Sequence, residues 1–364
     1  MVKFIPGLQL SELFYHEVIK LILAADFPDV PYSAALFGPG SEVLGFDDEM
    51  SSDHDWGPRL WLFLREEDEE MFDVAIRETL SHKLPRQFRG YSTDFVAPDA
   101  ANTHPQNTPI QHRVALLTFR RVIWEGLHFN IDQAIEPADW LSFPQHYLRE
   151  ITSGAIYYDA IGLEAARKQF SYYPHDVWFY LLLASWQRIG QEQHLMGRAG
   201  YVGDELGSAI MGSRLVREVM RLCFLLEKQY IPYPKWFGTA FSQLSCGPAL
   251  VPVLSRVQFA ATWQEREQHL GAALEYVVAM HNQLAITEPV PARQRQFHDR
   301  PFHIVGTEDV GIGGFIQALR AGMTDEKVRR IADDRLFGSV DHISDNPDFL
   351  MAGKWRIKLH SLYE

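Results

Sequence analysis

Cysteine is nearly absent from this chain. Cys223 and Cys246 are the 2 thiols in 364 residues, and their spacing suits no metal-binding knuckle. A disulfide-stapled scaffold is excluded, and such sparing use of cysteine points to a reducing compartment. Basic charge is also short. The chain has 34 Lys and Arg against 47 Asp and Glu, a formal net charge of -13. Binding to a nucleic-acid backbone rests on Lys and Arg neutralising phosphates, so RNA or DNA is not expected as the main ligand. A local basic pocket for one small polyphosphate stays open. Long apolar runs are missing too. The most apolar window, Val177 to Trp186, covers 10 residues, whereas a bilayer span needs ~20. Met1 to Pro6 lacks a basic stretch leading into an apolar run. The expectation is a cytoplasmic protein with no membrane partner.

What is present is the material of a packed core: 46% apolar and 13% aromatic residues. The length favours two domains. The pattern changes to long helical stretches from about Pro174, and the expected fold is α+β, with a mixed α/β domain over 1–160 and an α-helical domain over 161–364. In the first part, Ser11 is placed to cap a helix that runs to Ala25 and ends before Pro28 and Pro31. Tyr32–Phe37 and Asp55–Leu64 read as strands. Acid-rich Glu66–Glu70 opens a helix that ends at Pro85. Phe88–Val96 and His112–Phe119 are further strand candidates around a polar loop. Helices follow near Ile123–Phe129 and Pro144–Thr152, and Gly154–Asp159 is a last strand. Beyond Pro174 the apolar positions recur at helical spacing over Val177–Gln191, Gly207–Lys228 and Val257–Asn282. Tyr230–Trp236 is a proline-stiffened break, Glu288–Arg300 a linker, and Gly306–Gly314 a loop.

The chemistry concentrates at Gly38-Pro39-Gly40-Ser41 and, twelve residues on, Asp53-His54-Asp55. A small turn leaves an apolar strand, and the next strand carries two acids at i and i+2. Side chains at that spacing share one face of a strand, with His54 on the other. Mg²⁺ takes few carboxylates and keeps substrate phosphate oxygens in its shell. Asp53 and Asp55 are therefore the candidate ligands for one or two Mg²⁺ ions carrying a nucleoside triphosphate. Gly40 would let the backbone approach the phosphates, and Ser41, at the start of a short helix, would bind their oxygens.

Gly40-Ser41, Gly45 and Ser52-Asp53-His54-Asp55 resemble the signature of the DNA polymerase β-like nucleotidyltransferase superfamily. Tyr32–Phe37, Trp56-Gly57-Pro58-Arg59, Gly203-Asp204-Glu205-Leu206-Gly207-Ser208 and Tyr233-Pro234-Lys235-Trp236-Phe237-Gly238 resemble a bacterial family named as a domain of unknown function, DUF4037. A catalytic domain followed by helices is similar to the layout of aminoglycoside-type nucleotidyltransferases. The resemblance implies transfer of a nucleoside monophosphate from a nucleoside triphosphate to a hydroxyl of a small molecule or a protein. It also implies a third carboxylate on a later strand. His112–Phe119, the strand expected to carry it, has Val114, Ala115, Leu116 and Leu117 and no acid. Asp94, Asp204 and Glu205 are the alternatives. Arg198, Ser208 and Lys235 complete the candidate nucleotide-binding set.

Other readings stand beside these. A binding protein without turnover, acting as a sensor or a partner of another protein, fits the missing third acid. A metal-dependent glycosyltransferase also uses an Asp-x-Asp pair but needs no Gly-Ser turn. Asp204 and Glu205 also suit a helix N-terminus. Arg198 and Lys235 also suit a solvated surface. Tyr230, Tyr233, Trp236, Phe237, His175 and His194 suit packing, and Asp47-Asp48-Glu49 a solvated charge run.

Overall fold

A computed structural model describes residues 4–53, 56–95, 108–307, 312–334 and 336–364, with Ser52 and Asp53 described for the backbone only. The chain forms two units: 1–133 with 147–171, and 134–146 with 172–364.

The first unit is built on a four-stranded mixed sheet. Its strands are β1 (Ser33–Leu36), β2 (Arg59–Phe63), β5 (Arg113–Leu117) and β6 (Ala155–Asp159), in the order β5-β2-β1-β6. β1 pairs antiparallel with β2 and with β6, and β2 pairs parallel with β5. Period-two alternation divides the side chains between two cores. Ala34, Leu60, Leu62, Val114 and Leu116 face one core with Leu10, Phe14 and Ile19 of the first helix and Ile76 and Leu80 of the helix Glu66–Lys83. Ala35, Leu36 and Phe63 face the other, where Phe119 and Leu163 pack. The segment expected as the strand Phe88–Val96 forms a short hairpin instead, β3 (Gln87–Phe88) with β4 (Tyr91–Ser92).

The first helix differs from expectation at both its start and its middle. It begins at Gly7, and Tyr15–Ile19 is a π-helical turn between Gly7–Phe14 and Lys20–Asp26. Ser11 is not the cap. It is buried, and its hydroxyl donates to the carbonyl of Arg59 at 2.7 Å. The N-terminal anchor is Asp47, whose carboxylate accepts from Gly7 N at 2.7 Å and from the Trp56 indole at 3.0 Å. Asp47 is thus a fastening point, not part of a solvated run.

The second unit is helical. Its centre is the 27-residue helix His175–Tyr201, buried continuously from Asp176 to Trp186. The helices Glu205–Leu226, Trp263–Gln283 and Gly313–Gly322 pack against it. The expected single helix Val257–Asn282 is two helices, Gly247–Phe259 and Trp263–Gln283. Thr262 caps the second, accepting from Glu265 N at 3.3 Å, while Glu265 accepts from Ala261 N at 3.2 Å. The expected linker after Glu288 contains a hairpin of β7 (Arg293–Gln296) and β8 (His303–Gly306). Gln193 holds it by two bonds to Val305, at 2.9 and 3.0 Å.

Candidate active site

The register of the central strands brings several segments to one end of the sheet. Ala35 pairs with Trp61, so the chain leaves β1 and re-enters β2 at the same end. Arg59 pairs with Arg113, and Leu36 with Ala155, which adds the starts of β5 and β6. The connection that leaves and returns there carries Gly38 to Ser41 and Asp53.

Gly38 N donates to the carbonyl of Glu150 at 3.0 Å. The chain then turns through Gly40, at φ +144. A Cβ there would lie 2.4 Å from Arg59 Nη2 and 2.6 Å from Glu42 Oε2. Gly40 thus lies against an ion pair whose side-chain ends would have to shift for any larger residue. Arg59 Nε lies 2.6 Å from Glu42 Oε1, and Arg59 Nη2 donates to the carbonyl of Pro39 at 2.7 Å. Ser41 is half-buried. The short helix expected after it is a run of turns, with Leu44 and Phe46 N donating to the Ser41 carbonyl and Gly45 N to that of Glu42.

The segment that carries the candidate metal ligands departs from expectation where it is described. β2 opens at Arg59, not at Asp55, because Gly57 turns at φ +135 and Pro58 has no N–H to give a ladder. Asp53 ends a 3-10 turn over Glu49–Asp53, so the alternation of a strand does not govern it. Asp55 and His54 lie outside the described residues. Among the described residues, no group of three or more His, Cys, Asp or Glu is arranged to hold a metal.

β5 carries no acid, as its sequence implies, and its first residue is Arg113, stacked over Phe95 at 4.1 Å. Asp94 is taken up by local structure: its carboxylate accepts from the Arg86 guanidinium and from Gln111 N at 3.0 Å. The acid that sequence reasoning missed is Glu150. It lies on the helix Gln145–Thr152, where its main-chain carbonyl, not its carboxylate, takes the bond from Gly38, and burial pushes its carboxyl up to about 7. Its helical spacing gave no hint of this, because nothing local to residue 150 announces the pairing with residue 38. Glu42 and Arg59 were also missed, although both flank the motif in the sequence.

The remaining candidates belong to the helical unit, and most serve its packing. Asp204 is the N-cap of the helix Glu205–Leu226 and accepts from Gly207 N at 2.7 Å. Glu205 accepts from Trp263 N at 3.1 Å and from Arg266 at 3.3 Å. Ser208 is fully buried, and its hydroxyl accepts from Arg266 at 2.8 Å. The Gly203–Ser208 marker is a helix cap joined to a buried arginine. Arg198 is exposed on the last turn of its helix, and Lys235 is exposed with its ammonium 5.1 Å from the Trp236 ring. His194 stacks on Phe297, and Phe237 on Phe224.

No curated protein matches the chain. A solved structure of a nucleotidyltransferase-like protein from Exiguobacterium sibiricum 255-15 is similar at 10% identity and a TM-score of 0.31, over 81% of this chain and 97% of that one. The Gly40 to Asp55 stretch lies outside the matched family segment, whereas the Gly203–Ser208 marker and most of the Tyr233–Gly238 marker lie inside it. Residues 140–237 match the family model described as Domain of unknown function (DUF4037), which is the family resemblance those two markers carry.

Proposed function

We propose that the protein is a Mg²⁺-dependent nucleotidyltransferase that moves a nucleoside monophosphate from a nucleoside triphosphate to a hydroxyl of a small molecule or a protein. The observation that carries this reading is the convergence at one sheet end. The Gly38–Ser41 turn leaves central strand β1, the connection bearing Asp53 returns to neighbouring β2, and the main-chain carbonyl of Glu150 accepts from Gly38 in the turn. In this reading Asp53 and Asp55 hold the metal. Two carboxylates suit Mg²⁺, which fills the rest of its shell with water and phosphate oxygens. When bound, the ion neutralises triphosphate charge and stabilises the leaving oxygens. Ser41 binds phosphate oxygens. Glu150, with a carboxyl titrating near neutrality, takes the proton of the acceptor hydroxyl.

The test is pyrophosphate release from labelled triphosphates with Mg²⁺ and a pool of acceptors. Asp53→Ala and Asp55→Ala should each abolish it. Glu150→Gln should lower turnover by about 100-fold while leaving triphosphate affinity within a factor of two. A second reading, nucleotide binding without turnover, is favoured by the acid-free β5 and by the Arg59–Glu42 pair seated against Gly40. Tight triphosphate binding with no pyrophosphate release on any acceptor would establish it against the first.

A further inference from the structure

The helical unit contains a two-lobed cavity walled by four arginines and the acids that pair with them. Arg214, Arg217 and Arg221 follow one another at i, i+3 and i+7 on the helix Glu205–Leu226, so they share a face. Arg188 reaches the same space from the helix His175–Tyr201, and Glu218 and His342 complete this polar lobe, which has a volume of about 480 Å³. A second lobe of about 300 Å³ shares Arg217, Arg221, Asp341, Ser344 and Asp345 with it, and His146 lines it beside the apolar Ile231, Pro232, Pro234, Phe237 and Leu350. Both volumes suit a small organic ligand.

The state of the four guanidinium groups shows where a ligand would sit. Arg214 is held bidentately by Glu192, at 2.6 and 2.7 Å. Arg188 donates to the carbonyl of His342 at 2.8 Å and pairs with Glu192 at 3.5 Å and Glu218 at 3.7 Å. Arg221 is 7% exposed and donates to Glu218 Oε1 at 3.2 Å. Arg217, at the junction of the lobes, pairs with Asp345, whose side chain is 64% exposed. An exposed ion pair of this kind is worth less than about 1 kcal/mol, so a better anion can displace it. The Asp345 carboxylate marks the place an incoming oxyanion would take. Burial lifts the Asp341 carboxyl up to about 6, which lessens its repulsion of an anion in mildly acidic solution.

We propose that this cavity binds a small organic phosphate, its phosphoryl group on Arg217 and Arg221 in place of Asp345 and its apolar body against Phe237, Pro232 and Ile231. The phosphoryl oxygens match the planar donor fork of arginine. The apolar lobe distinguishes an organic phosphate from the free ion. This inference goes beyond the nucleotidyl-transfer reading and does not depend on a metal.

The experiment is calorimetric titration of the full chain, without Mg²⁺, with phenyl phosphate, inorganic phosphate and phenol. Phenyl phosphate should saturate at least tenfold more tightly than inorganic phosphate, and phenol should not bind. Asp345→Asn, an exposed change, should tighten phenyl phosphate several-fold by removing the competing carboxylate. Arg217→Ala should weaken it at least tenfold. Asp53→Ala should leave it unchanged, so failure of the catalytic reading and of this one are separable. Lack of saturation below about 10 mM, a dissociation constant beyond the range of specific small-ligand binding, would overturn the proposal. So would equal affinity for the two phosphates, or affinities unmoved by both Asp345→Asn and Arg217→Ala.

Discussion

The residue with most at stake in the first unit is Glu42. It is 3% exposed, faces Arg59 at 2.6 Å, and sits 2.6 Å from where a Cβ on Gly40 would be. The pair fixes the exit of β1 against the entry of β2, because Arg59 also binds the Pro39 carbonyl. Removing one partner of a buried pair strands the other charge, which costs about 3–5 kcal/mol. Glu42→Gln should therefore lower the unfolding free energy by about 3 kcal/mol in urea, and should weaken triphosphate binding by loosening the turn. A loss below about 1 kcal/mol would show that the pair behaves as a surface contact.

At the scale of elements, the sequence announced what repeats locally and hid what depends on distant partners. The alternation in Arg59–Phe63 and Arg113–Leu117 and the apolar run from Val177 to Trp186 were legible because burial leaves a periodic mark. Thr262-Trp263-Gln264-Glu265 forms a cap that splits a helix which apolar spacing alone continued, so the expected single helix missed it. The hairpin strand Arg293–Gln296 was not legible. All four of its side chains are polar, and it is fixed through its neighbour β8 by Gln193, a hundred residues earlier. The candidate site divides in the same way. Gly40, Ser41 and Asp53 were visible as a motif, whereas Glu150 comes to the turn only through tertiary pairing. Asp204, Glu205 and Ser208 looked equally chemical, yet their partners are Gly207, Trp263 and Arg266. Asp204→Ala should accordingly cost about 1 kcal/mol, the worth of an N-cap, and leave triphosphate affinity unchanged. Loss of binding with stability intact would return Asp204 to the functional set.

At the scale of the whole molecule, the helical unit stores opposed proton equilibria. Burial holds His146 and His281 neutral, each pushed down to about 4, and it pushes His342 down to about 3, assisted by Arg221 and Arg188. A histidine of the unfolded chain titrates near ~6.5. Below that pH the unfolded chain takes up protons that the folded unit refuses. The stability these three supply is complete above about 6.5 and drains away as pH falls toward 4. Asp341 opposes them. Burial lifts its carboxyl up to about 6, so the folded unit takes up this proton before the unfolded chain does. Its penalty is greatest above about 6 and is relieved as pH falls toward the unfolded value near 4. Asp341→Asn removes the relief and keeps the histidines. The variant should gain on the wild type at pH 7 and lose stability more steeply between pH 6.5 and 4, by a difference on the order of 2 kcal/mol. Urea midpoints at each pH unit from 7 to 4 measure it. Parallel curves for the two proteins would mean that Asp341 is ionised in the folded unit throughout, with Arg221 and the amide of Gln145 carrying its charge.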